Sequence, residues 1–389
     1  MIKFFIILIF FLLSLGQLGR ISFLGQQVNF YLYEIAVVAL VLTLLTAYRL
    51  QPIISFMKKY PAMLFFFFLM LFSFLLRYTY YSFQENFIAF LYFLRFFTYV
   101  CLFIYLARYW QDQKKSNTVV QSGILVLSSI TIVFSLTQYF LYPDLRNLFY
   151  LGWDPHLYRT FGVFFDTSIS AALYGILLFY FVIKREKLRL PSIIYDTFVG
   201  IFIILGLLTY SRGFYIASLL TFSYYYIRQK QYLGFFVIFI LFTGSLFLLP
   251  KQFGEGVNLL RRFSVTSRLR DDQTAISIWQ KNPLLGIGYN RIRYEKERLG
   301  VIDRTTEDIT HAGASFHSSF LIVLVTTGIL GLISFLFLLW QLAKISLFST
   351  YLTLFLSLFS LWDNILLHPF ILMLFFLLLS REVFQFSGE

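Results

Sequence analysis

Long apolar runs recur along nearly the whole chain, and they constrain its fold more than any other feature. Of the 389 residues, 59% are hydrophobic and only 13% are charged, and the mean hydropathy is +0.76. A soluble domain of this composition would lack the polar residues that its surface needs. A helix of about 20 apolar residues crosses the roughly 30 Å hydrocarbon core of a membrane. The sequence therefore predicts an all-α integral membrane protein.

The runs divide the chain into about twelve transmembrane helices and one large polar loop. Residues 1–249 hold the first nine predicted helices, 250–315 the loop, and 316–389 the last three helices. The first run lacks an A-x-A cleavage pattern, so it is predicted as a membrane helix and not as a signal peptide. The predicted spans are 2–18, 29–48, 60–76, 86–107, 119–142, 161–183, 192–211, 213–227, 232–249, 316–340, 345–362 and 365–380.

Lysine and arginine are distributed unequally between the two sets of short connections. Fifteen lie in one set and five in the other, counting Arg212 among the five. Basic residues accumulate on the cytoplasmic side. Both termini are therefore predicted to be cytoplasmic, and the 250–315 loop to be extracytoplasmic. The net charge of +13 fits these connections and anionic membrane lipid, so no nucleic-acid partner is expected.

The 250–315 loop carries eleven basic and eight acidic residues, and its helical spacing predicts amphipathic helices at the membrane surface. Basic side chains there, such as Arg268, would contact lipid headgroups or a phosphorylated substrate. The alternative is a solvated loop of mixed charge.

Four histidines occur, and all fall on the predicted outer side. His311 and His317 flank the entry to the tenth span. Their spacing fits no common metal-ligand pattern, so no metal is expected. A neutral imidazole suits the removal of a proton from a sugar hydroxyl. The alternative for His317 is a hydrogen bond to the loop backbone.

Charged residues also interrupt the apolar runs. Arg212 follows Tyr210 and Ser211 between two spans, where it either extends to the interface or binds an anion in an outward-facing cavity. Arg159 precedes the sixth span, and Asp166 is predicted about two turns inside it. Asp166 would pair with an arginine or with a substrate hydroxyl.

Four motifs together resemble the bacterial O-antigen ligase and polymerase family. They are R-x-x-G at Arg159 to Gly162, Y-S-R-G at Tyr210 to Gly213, W-x-x-N-P-L-x-G-x-G at Trp279 to Gly288, and H-S-x-x-L at His317 to Leu321, followed by G-x-x-G at Gly328 to Gly331. At Ser318 this chain has serine where the family often has asparagine.

The resemblance implies a C-type glycosyltransferase-like fold in the bacterial inner membrane, with the active site on the outer face. It implies glycosyl transfer without a cofactor, from a polyprenyl-diphosphate-linked oligosaccharide to a glycan or lipid acceptor. His317 and Arg212 would be catalytic. Five further residues would bind substrate: Arg159, Asp166, Tyr210, Arg268 and His311. Membrane lipid is an expected partner, and a chain-length regulator is a further candidate.

Two activities within the family differ in their acceptor. A polymerase extends a second lipid-linked glycan, while a ligase moves the glycan to lipid A core or to a protein. The polymerase is favoured because no motif indicates recognition of a specific terminal acceptor. A lipid-linked glycan transporter is the alternative from another class, but it would place charges near the midplane in repeated halves.

Overall fold

The computed structural model describes residues 1–113, 117–185, 188, 190–250, 255–259, 263–302 and 315–385. Within these ranges the chain forms fifteen α-helices and one two-stranded β-hairpin. The helices are α1 Ile2–Leu13, α2 Leu32–Tyr48, α3 Gln51–Lys59, α4 Pro61–Leu76, α5 Phe83–Asp112, α6 Asn117–Leu141, α7 Thr167–Lys184, α8 Ser192–Leu207, α9 Arg212–Arg228, α10 Tyr232–Leu248, α11 Phe263–Lys281, α12 Ile292–Arg298, α13 Ser319–Ala343, α14 Leu347–Phe359 and α15 Pro369–Gln385.

Each of the twelve predicted spans overlaps one of these helices. Four of the described helices, α5, α6, α7 and α13, are long and apolar enough to cross a membrane, and α2 with α3 passes as a pair bent by 95°. Five others are apolar but shorter, in the range of 10–17 residues. These features identify a predominantly helical integral membrane protein, and the number of twelve spans stays a prediction.

A small β-hairpin between α1 and α2 was not predicted from the sequence. Its strands are β1, Arg20–Phe23, and β2, Val28–Tyr31, paired antiparallel with Arg20 opposite Tyr31 and Phe23 opposite Val28. The hairpin places polar side chains at the end of the bundle where α2 begins. It thereby forms one wall of the cavity described below.

Buried contacts join the helices into one bundle whose two ends differ in chemistry. At one end, Lys184 at the end of α7 pairs with Glu382 of α15 at 2.7 Å, and Ser346 before α14 donates to the same carboxylate at 2.7 Å. At the other end lie the hairpin, the break between α8 and α9, helices α11 and α12, and the turn between α14 and α15. The chain's polar cavities open at this second end.

Candidate active site

A cavity of about 330 Å³ at this end holds several ionisable side chains. It lies between the hairpin, the connection before α7, the segment before α13 and the α14–α15 turn. The charged and histidine side chains that line it are Arg20, Arg95, Asp154, Asp166, His317, Asp363 and His368. We call this space the histidine cavity.

The segment that carries His317 is held in place by the loop helices. Lys296 of α12 is 2% exposed, and its ammonium donates to Asp271 of α11 and to the carbonyl oxygen of Ser315, each at 2.7 Å. The second oxygen of Asp271 accepts the backbone N–H of His317 at 3.2 Å. The pair therefore fixes His317 at the cavity wall.

The environment of His317 favours its neutral form. Burial lowers the pKa of His317, and the nearby charges of Arg268 and Lys296 lower it further against the opposing effects of Asp271 and Asp166. A neutral imidazole has a free lone pair at neutral pH. His317 can therefore accept a proton from a bound hydroxyl group.

Asp363 connects the wall of this cavity to two arginines. The Arg268 guanidinium of α11 donates to Oδ1 of Asp363 at 2.7 Å. A methyl group in place of the Gly213 hydrogen would lie 3.3 Å from Oδ2 of Asp363, so the first turn of α9 contacts this carboxylate. The charges of Arg268 and Asp363 both act on Arg212, the first residue of that helix. Arg268 thus pairs with a carboxylate that lines the histidine cavity, and Arg212 lies near enough for both charges to act on it, although neither arginine is among the described residues that line the cavity.

Burial raises the pKa of Asp363 to about 6, although Arg268 and Arg159 oppose the shift. The charge of Asp166 raises the pKa of Asp363 as well, so carboxylates and arginines both act at this position. The guanidinium groups here can donate to the oxygen atoms of an anion.

Arg159 lies in a loop that is bound to both α6 and the α8–α9 break. Its Nε donates to the carbonyl oxygen of Thr209 at 2.8 Å, and its own carbonyl accepts the side-chain amide of Gln138 at 3.2 Å. The Gln138 carbonyl oxygen accepts the N–H groups of Phe161 and Gly162 at 2.9 and 3.0 Å. Gly162 has φ of +52°, which favours glycine. The R-x-x-G motif is thus a fixed loop that carries Arg159 toward Asp154 and Asp363.

Residues 197–336 match a family model described as O-antigen ligase. This segment is therefore similar to an O-antigen ligase domain. The match confirms the resemblance that the sequence motifs indicated, and it supports a glycosyltransferase-type enzyme of O-antigen biosynthesis. No curated protein matches the chain.

The matched segment contains Tyr210, Arg212, Arg268 and His317, whereas Arg159 and Asp166 precede it. Tyr210 does not line the histidine cavity. Its hydroxyl donates to the Pro250 carbonyl oxygen at 2.7 Å, so it connects the α8–α9 break to the segment that follows α10. His311 lies outside the described residues.

Asp166 occupies a different position from the one predicted. The sequence placed it inside the sixth span, but α7 begins at Thr167 and Asp166 is its N-cap. Its Oδ1 accepts the N–H groups of Ser168 and Ile169 at 2.6 and 3.1 Å, which satisfies the free donors of the first turn. The carboxylate stays at the cavity wall, where its charge acts on His317, Asp363, His368 and Asp154.

Two glycine motifs of the matched segment pack against each other. Helix α13 is broken at Gly328, with φ of +70°, and the N–H groups of Ile287 and Gly288 donate to the carbonyls of Val325 and Thr326 at 3.0 and 2.9 Å. A side chain at Gly328 would lie 2.1 Å from the Leu284 carbonyl oxygen. The N-P-L-x-G-x-G segment therefore docks into the break, and the motif supports the loop without lining the histidine cavity.

Several cavity residues were missed or left without a role by the sequence analysis. Arg95 pairs with Glu34 at 2.7 Å, a partner that lies in another helix. Burial raises the pKa of Asp154 to about 6, and the neighbouring Asp166 contributes. Burial lowers the pKa of His368 to about 4. Arg20 lies over the Trp153 ring at 5.3 Å from its centroid. The signal that could have found Asp154 and Trp153 is their position just before the R-x-x-G loop.

Proposed function

We propose that the protein is a polysaccharide polymerase that transfers a glycan from polyprenyl diphosphate to a hydroxyl of a second lipid-linked glycan. The observation that supports the proposal is that Asp363 lines the same cavity as His317, pairs with Arg268, and exerts its charge on Arg212. Such a donor needs an apolar environment for its lipid, cations for its diphosphate and a polar space for its sugar. The bundle, the arginines and the histidine cavity match these needs.

The reaction is a direct displacement. The oxygen of the acceptor hydroxyl forms a bond to the donor's anomeric carbon, and the bond from that carbon to the diphosphate oxygen breaks. The hydroxyl proton passes to His317, and the electron pair leaves with the polyprenyl diphosphate. Because a single displacement occurs, the anomeric configuration inverts.

Arginines lower the barrier where negative charge grows. The diphosphate gains charge as its bond to the sugar breaks, so fixed cations stabilise the transition state more than the bound donor. We assign this role to Arg212 with Arg268, and assign Arg159 to the same anion from the loop before α7. Asp166 would orient sugar hydroxyls within the same cavity. Tyr210 supports Arg212 by fixing the α8–α9 break. His311 is assigned to substrate binding because it lies near His317 in the sequence.

The placement of the protein in the cell is part of the same proposal. Twelve spans with cytoplasmic termini would put the histidine cavity on the outer face of the inner membrane, where a flipped lipid-linked glycan resides. The reaction needs no metal or cofactor in this scheme, and a chain-length regulator is a candidate partner.

A deletion strain tests the assignment. The polysaccharide and the lipid-linked glycans of the cell would be separated by size and analysed chemically. Loss of a polymerase leaves single repeat units, whereas loss of a ligase leaves long chains on the lipid carrier. Unchanged polysaccharide and lipid-linked glycans would refute both activities.

A further inference from the structure

A second cavity, of about 200 Å³, adjoins the histidine cavity and differs from it in chemistry. Its walls come from the hairpin loop, α5, the segment from Tyr289 to α12, and the start of α15. We call it the tyrosine cavity, after Tyr92, Tyr99, Tyr289 and Tyr294, which line it. The functional scheme above makes no use of it.

The two cavities share part of their lining and therefore border one another. Ser315 and Asn364 line both, as do Asn29, Tyr92, Arg95 and Pro369. Ser315 lies two residues before His317, and Asn364 follows Asp363. A molecule bound in the tyrosine cavity would thus extend toward His317 past these two side chains.

The lining of the tyrosine cavity combines aromatic rings with amide groups. Gln26, Gln27, Asn29, Asn290 and Asn364 supply amides, and no aspartate or glutamate is among the described residues that line it. Aromatic rings pack against the apolar face of a sugar ring, while amides donate to and accept from its hydroxyls. This chemistry suits a sugar better than a diphosphate or a lipid chain.

The cationic groups of the tyrosine cavity differ in their availability. Arg95 is neutralised by Glu34 at 2.7 Å, and its guanidinium lies 4.8 Å from the centroid of the Tyr92 ring. The buried Nε of Arg293 makes no hydrogen bond with any described residue. Arg293 can therefore donate to the oxygen atoms of a bound sugar.

The rings that would contact the sugar are held before it binds. The Tyr92 hydroxyl donates to the Gln27 carbonyl oxygen at 3.0 Å, which joins α5 to the hairpin. The Tyr289 ring packs against Phe96 with centroids 6.2 Å apart. Such prior ordering reduces the entropic cost of binding.

We infer that the tyrosine cavity binds a sugar of the acceptor glycan. Binding there would direct the acceptor hydroxyl to His317 from the side that Ser315 and Asn364 line. This assignment deepens the proposed function and rests on it. The Arg212, Arg268 and Asp363 group contacts the histidine cavity through Asp363, outside the tyrosine cavity. Donor diphosphate and acceptor sugar would therefore approach His317 from different walls, as a direct displacement requires.

Kinetics with a separable acceptor test the inference. The acceptor is the lipid-free oligosaccharide released by mild acid from the cell's own lipid-linked precursor. The donor is the intact precursor, held at one fixed level well below saturation because the precursor is itself an acceptor, and only the lipid-free product is counted. Tyr289→Leu should raise the KM for the acceptor about tenfold, the scale of one lost aromatic contact, with kcat unchanged. Tyr289→Phe keeps the ring and should stay near the wild-type KM. Arg293→Gln should raise the acceptor KM and leave the donor KM unchanged.

The matched control is Tyr80→Leu, which removes an exposed tyrosine outside both cavities at the same end of the bundle. Thermal melting in detergent checks that all variants are folded. An acceptor KM that is equal in Tyr289→Leu and Tyr80→Leu would overturn the inference. So would a rise in the donor KM alone.

Binding without turnover separates this inference from the proposed function. Saturation-transfer NMR would follow the same lipid-free oligosaccharide on purified wild-type protein and on the His317→Ala, Tyr289→Leu and Tyr80→Leu variants. We expect binding in all but Tyr289→Leu. Binding that depends on Tyr289 in a protein that transfers no glycan would refute the proposed function and leave the sugar site standing. If the wild-type protein transfers glycan and its Tyr289→Leu variant binds the oligosaccharide normally, the sugar site is refuted and the proposed function stands.

Discussion

The guanidinium of Arg268 donates to the carboxylate of Asp363 at 2.7 Å and joins helix α11 to the turn between α14 and α15. The two residues are far apart in sequence. Their contact brings the loop to the first turn of α9, where Arg212 lies, and to the cavity that His317 lines. The proposed function depends on this junction.

Removing either proposed catalytic side chain should abolish transfer. His317→Ala removes the proton acceptor and Arg212→Ala removes a cation beside the leaving group, and each should lower the rate by about 100-fold or more. The measurement is polysaccharide length and amount in a deletion strain that expresses each variant at equal membrane abundance. Arg146→Ala is the matched control, since Arg146 is an exposed outer arginine paired with Asp144. Normal polysaccharide in the His317 or Arg212 variant would refute its role.

The Arg268–Asp363 pair should act as one unit. A charge-assisted hydrogen bond contributes about 1.5–3 kcal/mol, so Arg268→Gln should slow transfer by about 10- to 100-fold. Asp363→Asn should slow transfer little further in a protein that already carries Arg268→Gln, because the effects of substituting two residues in contact do not add. Rates of both single variants and the double variant form the test. If the rate losses of the two single variants multiply in the double variant, the pair is not coupled.

The Lys296–Asp271 pair should support the His317 segment. Asp271→Asn leaves the buried Lys296 ammonium without its partner, and it should lower the free energy of unfolding by about 1.5–3 kcal/mol and reduce transfer. Replacing both residues, as Asp271→Leu with Lys296→Met, should restore stability but not activity, since it removes the buried charge along with the support. Thermal melting in detergent beside the transfer rate gives both quantities. A double variant with full activity would contradict this role.

Transfer should decline on the acid side of neutrality. Burial and Arg268 lower the pKa of His317, so the imidazole is neutral at pH 7 and gains its proton as the pH falls. Asp363 has a pKa raised to about 6, so it is ionised at pH 7 and releases Arg268 as the pH falls through about 6. Both changes impair the same step. A pH–rate profile at saturating donor should therefore fall below about pH 6, and a rate that rises there would contradict the assignment.

The break in α13 should not tolerate a side chain. Gly328→Ala combines a left-handed backbone with a contact to the Leu284 carbonyl oxygen, so it should reduce the amount of folded protein. Gly200→Ala is the matched control, because nothing lies within 4 Å of the added methyl group and alanine favours the helix by about 1 kcal/mol. The measurement is the folded yield on size-exclusion chromatography in detergent. Equal yields of the two variants would contradict a structural role for Gly328.

Periodicity and hydropathy located the helices because apolar runs report burial in lipid or in the bundle. They could not locate the exact ends of helices, or contacts between residues that are far apart in sequence. Asp166 was placed inside a helix because a capping carboxylate and a buried one look alike in sequence. The hairpin of Arg20 to Tyr31 was missed because each strand has only four residues and most of the second strand fell within the predicted span 29–48. The Arg95–Glu34 and Arg268–Asp363 pairs join segments that only the folded chain brings together.

The most direct test of the account is transfer by purified protein in liposomes that contain only the lipid-diphosphate glycan. The wild-type protein should produce a longer glycan and release polyprenyl diphosphate in equal amount, and the His317→Ala protein should do neither. Unchanged glycan that appears on the opposite leaflet, or equal elongation by both proteins, would contradict it.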